Sequence, residues 1–267
     1  MYYKNMSEPS ACTFVAPPSG KRITAPPCRL RLPPERLALF LDVDGTLAPI
    51  TARPEFTRVP VDTRRILRRL QASGVALAAL SGRPLVQVRR LLLPLDVPIA
   101  GSHGAQLRFS AGRSIRSTAH LPPGAAAWLQ NGVAQLPDVW LERKPSALAI
   151  HWRQAPHMQS EVAALAARFL ERAPGWQLIC GHCVHELRAV GRHKGVALRR
   201  LMRQAPFAGR WPLAIGDDRT DEDAFAAALE LGGAAIRVGP AANTCAPWAV
   251  ADTTALARWL GALLAPD

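Results

Sequence analysis

The sequence predicts an α/β protein: a doubly wound parallel sheet interrupted by an inserted α+β domain. Short, continuously apolar segments such as Leu37–Leu41 and Val75–Leu80 alternate with amphipathic helical segments. Such apolar segments are typical of strands buried on both faces of a parallel sheet. The same alternation returns near the carboxyl terminus, after a middle region of different character. We therefore predict one core domain, made of residues 36–108 and 190–267, with an insert at 109–189.

The core elements follow from apolar spacing and from residues that end helices. The first helix, Val61–Ser73, is amphipathic and stops before Gly74, a residue type that commonly caps helices. The remaining predicted core elements are the helix Leu85–Leu93, the strand Val97–Gly101, a helix from Lys194 to about Gln204, the strand Leu213–Ile215, a helix ending at Leu229, the strand Ala234–Val238 and the helix Thr254–Leu264. Strands and helices that alternate in this way predict parallel pairing.

The insert has a different pattern. Its predicted elements are a helix near 125–136, the strands Trp140–Glu142 and Ala147–Trp152, the helix Gln159–Arg172, and the strands Trp176–Cys180 and Cys183–Arg188. The last two strands flank a two-residue loop that begins with Gly181, which favours a tight hairpin. Antiparallel pairs are therefore expected here.

Residues 1–35 contain seven prolines and show no apolar periodicity. Such a composition is typical of extended or disordered segments. We predict a disordered arm in front of the core.

Composition limits the classes of function. The chain has 267 residues and a formal net charge of +13, a balance that can indicate nucleic-acid binding. However, the basic residues have no interleaved aromatic side chains, and no nucleic-acid-binding signature occurs. No apolar stretch approaches the ~20 residues of a membrane-spanning helix, and the five cysteines are too scattered for a disulfide framework. We expect a cytoplasmic protein that binds neither nucleic acid nor membrane.

The first of two acidic motifs, Asp42–Thr46, directly follows the strand Leu37–Leu41. Side chains alternate along a strand, so Asp42 and Asp44 project to the same side, at the edge where ligands of open α/β sheets bind. Two carboxylates this close repel unless a cation or a division of roles stabilises them. One can act as a nucleophile while the other moves protons.

The second acidic motif, Gly216–Asp223, also follows an apolar strand and opens a helix. Acidic residues in a first helical turn can be mere partners of the helix dipole, which is an open explanation for Asp221. It does not explain Asp217 and Asp218, which precede the helix. Two acidic strand ends brought together form an oxygen-rich site suited to Mg²⁺, and we predict this cofactor.

Three further residues offer the positive and hydrogen-bonding groups that a phosphate needs. Ser81 and Arg83 end the second strand, and Lys194 opens a helix. Free N–H groups at a helix start favour anions. By itself, Lys194 is better explained as a solvated surface lysine. Beside two acidic strand ends, we interpret it as a functional residue.

Taken in order, Asp42–Thr46, Ser81–Arg83, Lys194 and Gly216–Asp221 resemble the four motifs of the haloacid dehalogenase-like (HAD) phosphatases. The longer segments Gly101–Ala105, Leu141–Lys144 and Gly216–Glu222 resemble the trehalose-6-phosphate phosphatases in particular. The resemblance covers about residues 36–267.

This resemblance implies a mechanism. Asp42 would attack phosphorus, and Asp44 would protonate the departing sugar oxygen and then activate water. Ser81 and Lys194 would hold phosphoryl oxygens, with Arg83 as a further substrate ligand. The implied magnesium ligands are Asp42, Asp44 (through its backbone carbonyl) and Asp217, supported by Asp218 and Asp221.

The resemblance also implies that the insert is a mobile cap that closes over the sugar. The cap residues that match the family's sugar contacts are Glu142, Lys144, Arg153 and Glu186. Glu142 and Lys144 alternate on a predicted strand, which suits hydroxyl recognition and equally suits an exposed, ion-paired face. The family often has a lysine where this chain has His182, and a proline where it has Ala189. Both departures concern sugar specificity.

Trehalose 6-phosphate is thus the expected substrate, with functional coupling to a trehalose-6-phosphate synthase. The alternative is a capped phosphatase for another sugar phosphate, such as sucrose 6-phosphate or mannosyl-3-phosphoglycerate. A catalytically silent regulator is a further alternative. It is disfavoured because Asp42, Asp44, Asp217 and Lys194 are all present.

Overall fold

The computed structural model describes residues 23–28, 30–109, 114–116, 121–144, 147–181, 183–191, 193–240 and 244–264, with the backbone only at 114–116 and 144. The strands are β1 (Leu37–Leu41), β2 (Ala76–Leu80), β3 (Ile99–Gly101), β4 (Gln106–Arg108), β5 (Ser114–Arg116), β6 (Trp140–Lys144), β7 (Ala147–His151), β8 (Trp176–Gly181), β9 (Val184–Ala189), β10 (Trp211–Gly216), β11 (Ala234–Val238) and β12 (Trp248–Val250).

The helices are α1 (Val61–Ala72), α2 (Leu85–Leu92), α3 (Ala125–Val133), α4 (Gln159–Arg172), α5 (Lys194–Met202), α6 (Glu222–Glu230) and α7 (Thr253–Ala262). The longest of these, α4, has 14 residues. None of the helices in the described part of the chain has both the length and the apolar composition needed to cross a membrane.

An eight-stranded sheet forms the core, in the order β12-β11-β10-β1-β2-β3-β4-β5, with parallel pairing from β12 to β3. Every residue of β1 and β2 is buried. Leu39 and Leu41 belong to the apolar cluster on one face, and Ala38 and Phe40 belong to the cluster on the other. Two covered faces explain the continuously apolar strands, and the predicted doubly wound α/β fold is confirmed.

The boundary predicted at 109 lies inside this large sheet. Strands β4 and β5 pair antiparallel with each other, and β4 pairs antiparallel with β3, so the sheet extends to Ser114–Arg116. Antiparallel pairs were predicted only for the insert. For this reason, the short strands β4 and β5 were assigned at the domain boundary, although they belong to the core sheet. The next strand, β6, belongs to the small sheet.

The cap contains a four-stranded antiparallel sheet in the order β6-β7-β9-β8. Its apolar cluster takes in Leu148, Ile150 and Leu187 together with residues of α3 and α4. Because side chains alternate along a strand, the residues between these positions lie on the other face of the sheet. On that other face, called the open face below, Glu142 and Glu186 flank Ala149 in register.

Part of the predicted disordered arm is bound to the core, so that prediction is wrong from Thr24 onward. Thr24 donates its N–H to the carbonyl of Pro247 at 3.1 Å and accepts from the N–H of Ala249 at 2.9 Å. The indole N–H of Trp259 donates to the carbonyl of Pro27 at 2.9 Å. Strand β12 lies at the edge of the sheet, so its outer N–H and C=O groups are available for pairing. An extended segment can form hydrogen bonds with these groups even when its sequence has no apolar periodicity. Residues 1–22 lie outside the described residues.

Candidate active site

A cavity of about 430 Å³ lies where the carboxyl ends of β1, β2 and β10 meet. Because the strands are parallel and in register, Asp42, Ser81 and Asp217 come to the same edge from distant parts of the sequence. Its lining is Asp42, Asp44, Ile50, Thr51, Pro54, Thr57, Ser81, Gly82, Arg83, Gln87, His103, Lys194, Asp217, Asp218 and Thr220. All four predicted catalytic residues line it.

Lys194 connects two carboxylates at the base of this cavity. Its ammonium donates to Oδ1 of Asp42 at 2.7 Å and to Oδ1 of Asp221 at 2.7 Å. Lys194 and Asp221 are 2% exposed and Asp42 is 5% exposed. Buried charges are tolerated when they are paired in this way. Lys194 is therefore a buried partner of the acidic cluster, and the surface interpretation is excluded.

Asp42, Asp217 and Asp221 each place a carboxylate oxygen within 4.8 Å of the others. Gly45 allows this approach, since a Cβ at that residue would lie 2.1 Å from Oδ2 of Asp217 and its φ is +76°. Thr46 donates its hydroxyl to Oδ1 of Asp217 at 3.2 Å. Three carboxylates this close form a hard oxygen donor set, which fits Mg²⁺.

The electrostatics of the three carboxylates indicate the same fit. Burial raises the pKa of Asp42 to about 7 against the opposing effect of Lys194. Burial and the neighbouring acids raise the pKa of Asp217 to about 6, and burial and Asp42 raise the pKa of Asp221 well above its ordinary value. Burial alone would lower the pKa of Lys194, but Asp42 and Asp221 raise it above its ordinary value. A divalent cation would stabilise the ionised carboxylates.

Asp44 is held by Arg83 through two charged hydrogen bonds. Nε of Arg83 donates to Oδ2 of Asp44 and Nη2 donates to Oδ1, both at 2.6 Å. The same guanidinium donates to the hydroxyl of Thr57 and the carbonyl of Pro54. Arg83 was predicted as a substrate ligand. In this structure its contacts are with Asp44 and the 54–57 loop, so it positions the predicted acid and base.

Asp218 lies at the cavity, but its carboxylate caps a 3₁₀ turn. Oδ1 accepts hydrogen bonds from the N–H and hydroxyl of Thr220, both at 2.8 Å, and from the N–H of Asp221 at 3.2 Å. In return, Oδ2 of Asp221 accepts the N–H groups of Asp217 and Asp218 at 3.1 Å each. Asp221 thus holds Lys194 and shapes this turn, which is more than a dipole partner does. Neither Asp218 nor Asp44 belongs to the group of three carboxylates.

His103 also lines the cavity. It has a left-handed backbone with φ +55°, and a Cβ on Gly82 would lie 2.7 Å from its ring. Burial and the charge of Lys194 lower the pKa of His103, which favours the neutral imidazole. Ser81, 1% exposed, accepts the N–H of His103 at its carbonyl at 3.0 Å and the N–H of Arg83 at its hydroxyl at 3.1 Å.

The open face of the cap carries the predicted sugar residues. Oε2 of Glu142 lies 3.0 Å from Nε2 of His151, and His151 stacks on Trp140 with ring centroids 4.0 Å apart. Arg153 lines a cavity of about 390 Å³ with Trp140 and His151. Lys144 occupies the same face by register, but its side chain and all of His182 lie outside the described residues.

Arg188 joins this open face to the core. It pairs with Ala147 in register, on the same side of the sheet as Glu186, and its Nη2 lies 3.8 Å from Oδ2 of Asp223 in α6. His193, directly before Lys194, approaches the same oxygen at 3.5 Å. Arg188, on the predicted sugar face, therefore contacts α6, and His193 links the same carboxylate to the start of α5, where Lys194 lies. No signal in the sequence pointed to His151 or to the Arg188–Asp223 pair.

A family model described as trehalose-phosphatase matches residues 40–255. This chain belongs to the trehalose-phosphatase family. It is 39% identical over 230 residues to the trehalose-6-phosphate phosphatase of Escherichia coli strain K12, covering 84% of this chain and 85% of that protein.

Solved structures agree on the fold. A trehalose-6-phosphate phosphatase from Aspergillus fumigatus superposes with a TM-score of 0.74 at 22% identity, covering 91% of this chain and 99% of that one. A haloacid dehalogenase-like hydrolase from B. subtilis superposes with a TM-score of 0.61 at 15% identity, covering 84% and 98%. The HAD-like architecture with a separate cap is therefore confirmed. As a member of the trehalose-phosphatase family, the chain is an enzyme, a phosphatase.

Proposed function

We propose that this phosphatase hydrolyses trehalose 6-phosphate to trehalose and phosphate, with Mg²⁺ and through an aspartyl-phosphate formed on Asp42. The observation that carries the proposal is the buried Asp42–Lys194–Asp221 network at the end of β1, with Asp217 beside it. The E. coli relative, named a trehalose-6-phosphate phosphatase, supports the choice of substrate.

Asp42 is the proposed nucleophile. Its Oδ1 accepts a hydrogen bond from the ammonium of Lys194. The carboxylate of Asp42 attacks phosphorus while the bond from phosphorus to the sugar oxygen breaks. Water then attacks the phosphorus of the aspartyl-phosphate, and the bond between phosphorus and the Asp42 oxygen breaks, which releases phosphate and restores the carboxylate. Lys194 and Ser81 hold phosphoryl oxygens, because phosphoryl transfer depends mainly on positioning and charge neutralisation.

Asp44 is the proposed acid and base. It protonates the sugar oxygen as it leaves, and it takes a proton from the water that attacks next. Both of its oxygens are engaged by Arg83 in this structure. Proton transfer therefore requires this ion pair to open, and Arg83 sets the position from which Asp44 moves.

Asp42 and Asp217 are the proposed side-chain ligands of Mg²⁺, joined by the backbone carbonyl of Asp44. Asp221 supports them, because both of its oxygens already accept hydrogen bonds from the protein, and Asp218 acts through the turn it caps. When bound, the ion would neutralise charge on the phosphoryl group.

The cap is proposed to recognise the sugar. Glu142, Lys144 and Glu186 share the open face, and Arg153 lies at its end near Trp140. Functional coupling to a trehalose-6-phosphate synthase and a cytoplasmic location stay predictions.

The test is phosphate release in the presence of Mg²⁺ from trehalose 6-phosphate, glucose 6-phosphate, sucrose 6-phosphate and mannosyl-3-phosphoglycerate. We expect the highest kcat/KM for trehalose 6-phosphate and no turnover in EDTA. Preference for another sugar phosphate would keep the chemistry and overturn the assignment of the cap. No turnover of any of the four would overturn the proposed reaction.

A further inference from the structure

A second cavity of the core opens beside the catalytic cavity. Its volume is about 850 Å³, and it lies between the 54–61 segment, α1 and α2. Four arginines line it, Arg58, Arg64, Arg83 and Arg90, against a single carboxylate, Glu55. We call it the arginine groove. Its remaining lining is Pro54, Thr57, Val59, Pro60, Val61, Gln87 and Leu91.

Hydrogen bonds to the backbone hold two of these arginines in place. Nη1 of Arg58 donates to the carbonyls of Glu55 and Thr57 at 2.8 and 2.7 Å. Nη1 of Arg64 donates to the carbonyl of Leu93 at 2.9 Å, which ties α1 to the end of α2. Each of these bonds uses one nitrogen of a guanidinium that has five N–H donors. Both side chains are therefore positioned while most of their donors remain available.

Arg90 has a different environment. It is exposed, and none of the described residues accepts a hydrogen bond from it or forms an ion pair with it. Arg83, by contrast, is matched by Asp44. The charge of Arg83 is balanced by Asp44, and the charge of Glu55 balances one further arginine. The groove therefore keeps an excess of two positive charges.

This combination of charge and size points to a class of ligand. Arginine matches phosphate oxygens with paired hydrogen bonds, and pockets of about 300–1,000 Å³ are typical of small-molecule sites. The charge of residues 1–22 is not complementary to that of the groove, because their three basic residues outnumber their single acid, Glu8. We propose that the arginine groove binds a small molecule through a diphosphate group, at a site beside the catalytic cavity that shares with it the wall formed by Pro54, Thr57, Arg83 and Gln87.

The two cavities can be distinguished by charge. The catalytic cavity without a metal ion presents Asp42, Asp44, Asp217 and Asp218 against only Lys194 and Arg83, and this excess of carboxylates disfavours a polyanion. Diphosphate that binds in the presence of EDTA therefore reports on the groove. The measurement does not depend on turnover, so it is independent of the proposed reaction.

The test is isothermal titration of the full chain with inorganic diphosphate in EDTA and a buffer free of phosphate. The informative variant is Arg90→Gln, and the matched control is Arg89→Gln, which makes the same change of charge on the same helix at an exposed residue outside the groove. We expect Arg90→Gln to weaken binding about tenfold or more, as loss of a charged hydrogen bond does, and Arg89→Gln to change it little. Arg64→Gln provides a second variant of the groove.

Three results would overturn the proposal. The first is no binding at millimolar diphosphate. The second is equal weakening by Arg89→Gln and Arg90→Gln, which would show attraction by net charge alone. The third is displacement of diphosphate by an acidic peptide at far lower concentration, which would assign the groove to a protein partner. Thermal unfolding of each variant establishes that the fold is retained.

Discussion

The core sheet and the cap sheet present functional side chains by opposite routes. In the core, β1 and β2 are buried on both faces, so polar chemistry is possible only beyond the strand ends, where Asp42 and Ser81 lie. In the cap, helices cover one face and leave the other open, so functional side chains such as Glu142 and Glu186 alternate with apolar ones along the strands. A buried sheet concentrates charge at one edge, whereas a half-covered sheet spreads it over a surface.

This difference separates two properties of the enzyme. The edge of the core sheet is expected to govern the reaction on any phosphate ester. The open face of the cap is expected to govern which ester is accepted.

The largest expected effect is that of Asp42→Asn. We expect turnover to fall by about 10⁴-fold or more on both trehalose 6-phosphate and p-nitrophenyl phosphate, as removal of a nucleophile does in other enzymes. The control is Asp62→Asn, an exposed acid of α1 paired with Arg65. Phosphate release and thermal unfolding are the measurements. An Asp42→Asn protein that keeps a tenth of the activity would contradict its role as nucleophile.

The second prediction concerns pH and the metal-free core. The pKa values of Asp42, about 7, and Asp217, about 6, lie above their ordinary value of 3.8. Between about pH 4 and 7 the folded protein therefore binds more protons than the unfolded chain, so these groups make the free energy of unfolding decrease as pH rises.

Urea unfolding in EDTA across this range measures the effect. Asp217→Asn should flatten the decrease, and added Mg²⁺ should reduce it, because a cation stabilises the ionised acids. Glu142→Gln in the cap should leave the profile unchanged. If the free energy of unfolding changed between pH 4 and 7 to the same extent in the wild type and in Asp217→Asn, the result would contradict the contribution of Asp217.

The third prediction concerns the cap. Glu186→Gln should lower kcat/KM for trehalose 6-phosphate by about 10- to 100-fold, since a buried polar contact to substrate contributes roughly 1–3 kcal/mol. Activity on p-nitrophenyl phosphate should change little, because that ester has no sugar to recognise. The matched control is Glu161→Gln on α4, an exposed acid away from the open face. Equal losses on both substrates would assign Glu186 to the chemistry.

The smallest expected effect concerns the amino-terminal segment, which belongs to neither sheet's functional surface. Trp259→Phe removes the hydrogen bond from the indole N–H to the carbonyl of Pro27 and part of a buried ring of the core, and it should lower the free energy of unfolding by about 1 kcal/mol or more. Activity on both substrates should stay unchanged. Denaturant unfolding measures the loss, and an unchanged midpoint would show that the segment is held without this bond.

Several features could be predicted from residues close together in the chain. The burial of β1 and β2 follows from their continuously apolar sequences, and the position of Asp42 follows from its place directly after a strand. Likewise, the alternation of residues in the predicted strand indicated that Glu142 and Lys144 would share a face, as their register in β6 shows. Such patterns extend over only a few residues, and local backbone geometry is enough to determine them.

Other features required contacts between distant residues. Arg83 and Asp44 are 39 positions apart, and Lys194 and Asp42 are 152 apart. The sequence placed each of these residues near the sheet edge, but only the register of the packed strands decided that Arg83 would hold Asp44, and that Asp221 rather than Asp218 would meet Lys194. The sequence by itself therefore determined the elements and the acidic strand ends. Tertiary packing decided the partner of each charge. The partners of Asp44 and Asp42 lie 39 and 152 positions away in the chain, and short-range sequence patterns contain no information about such contacts.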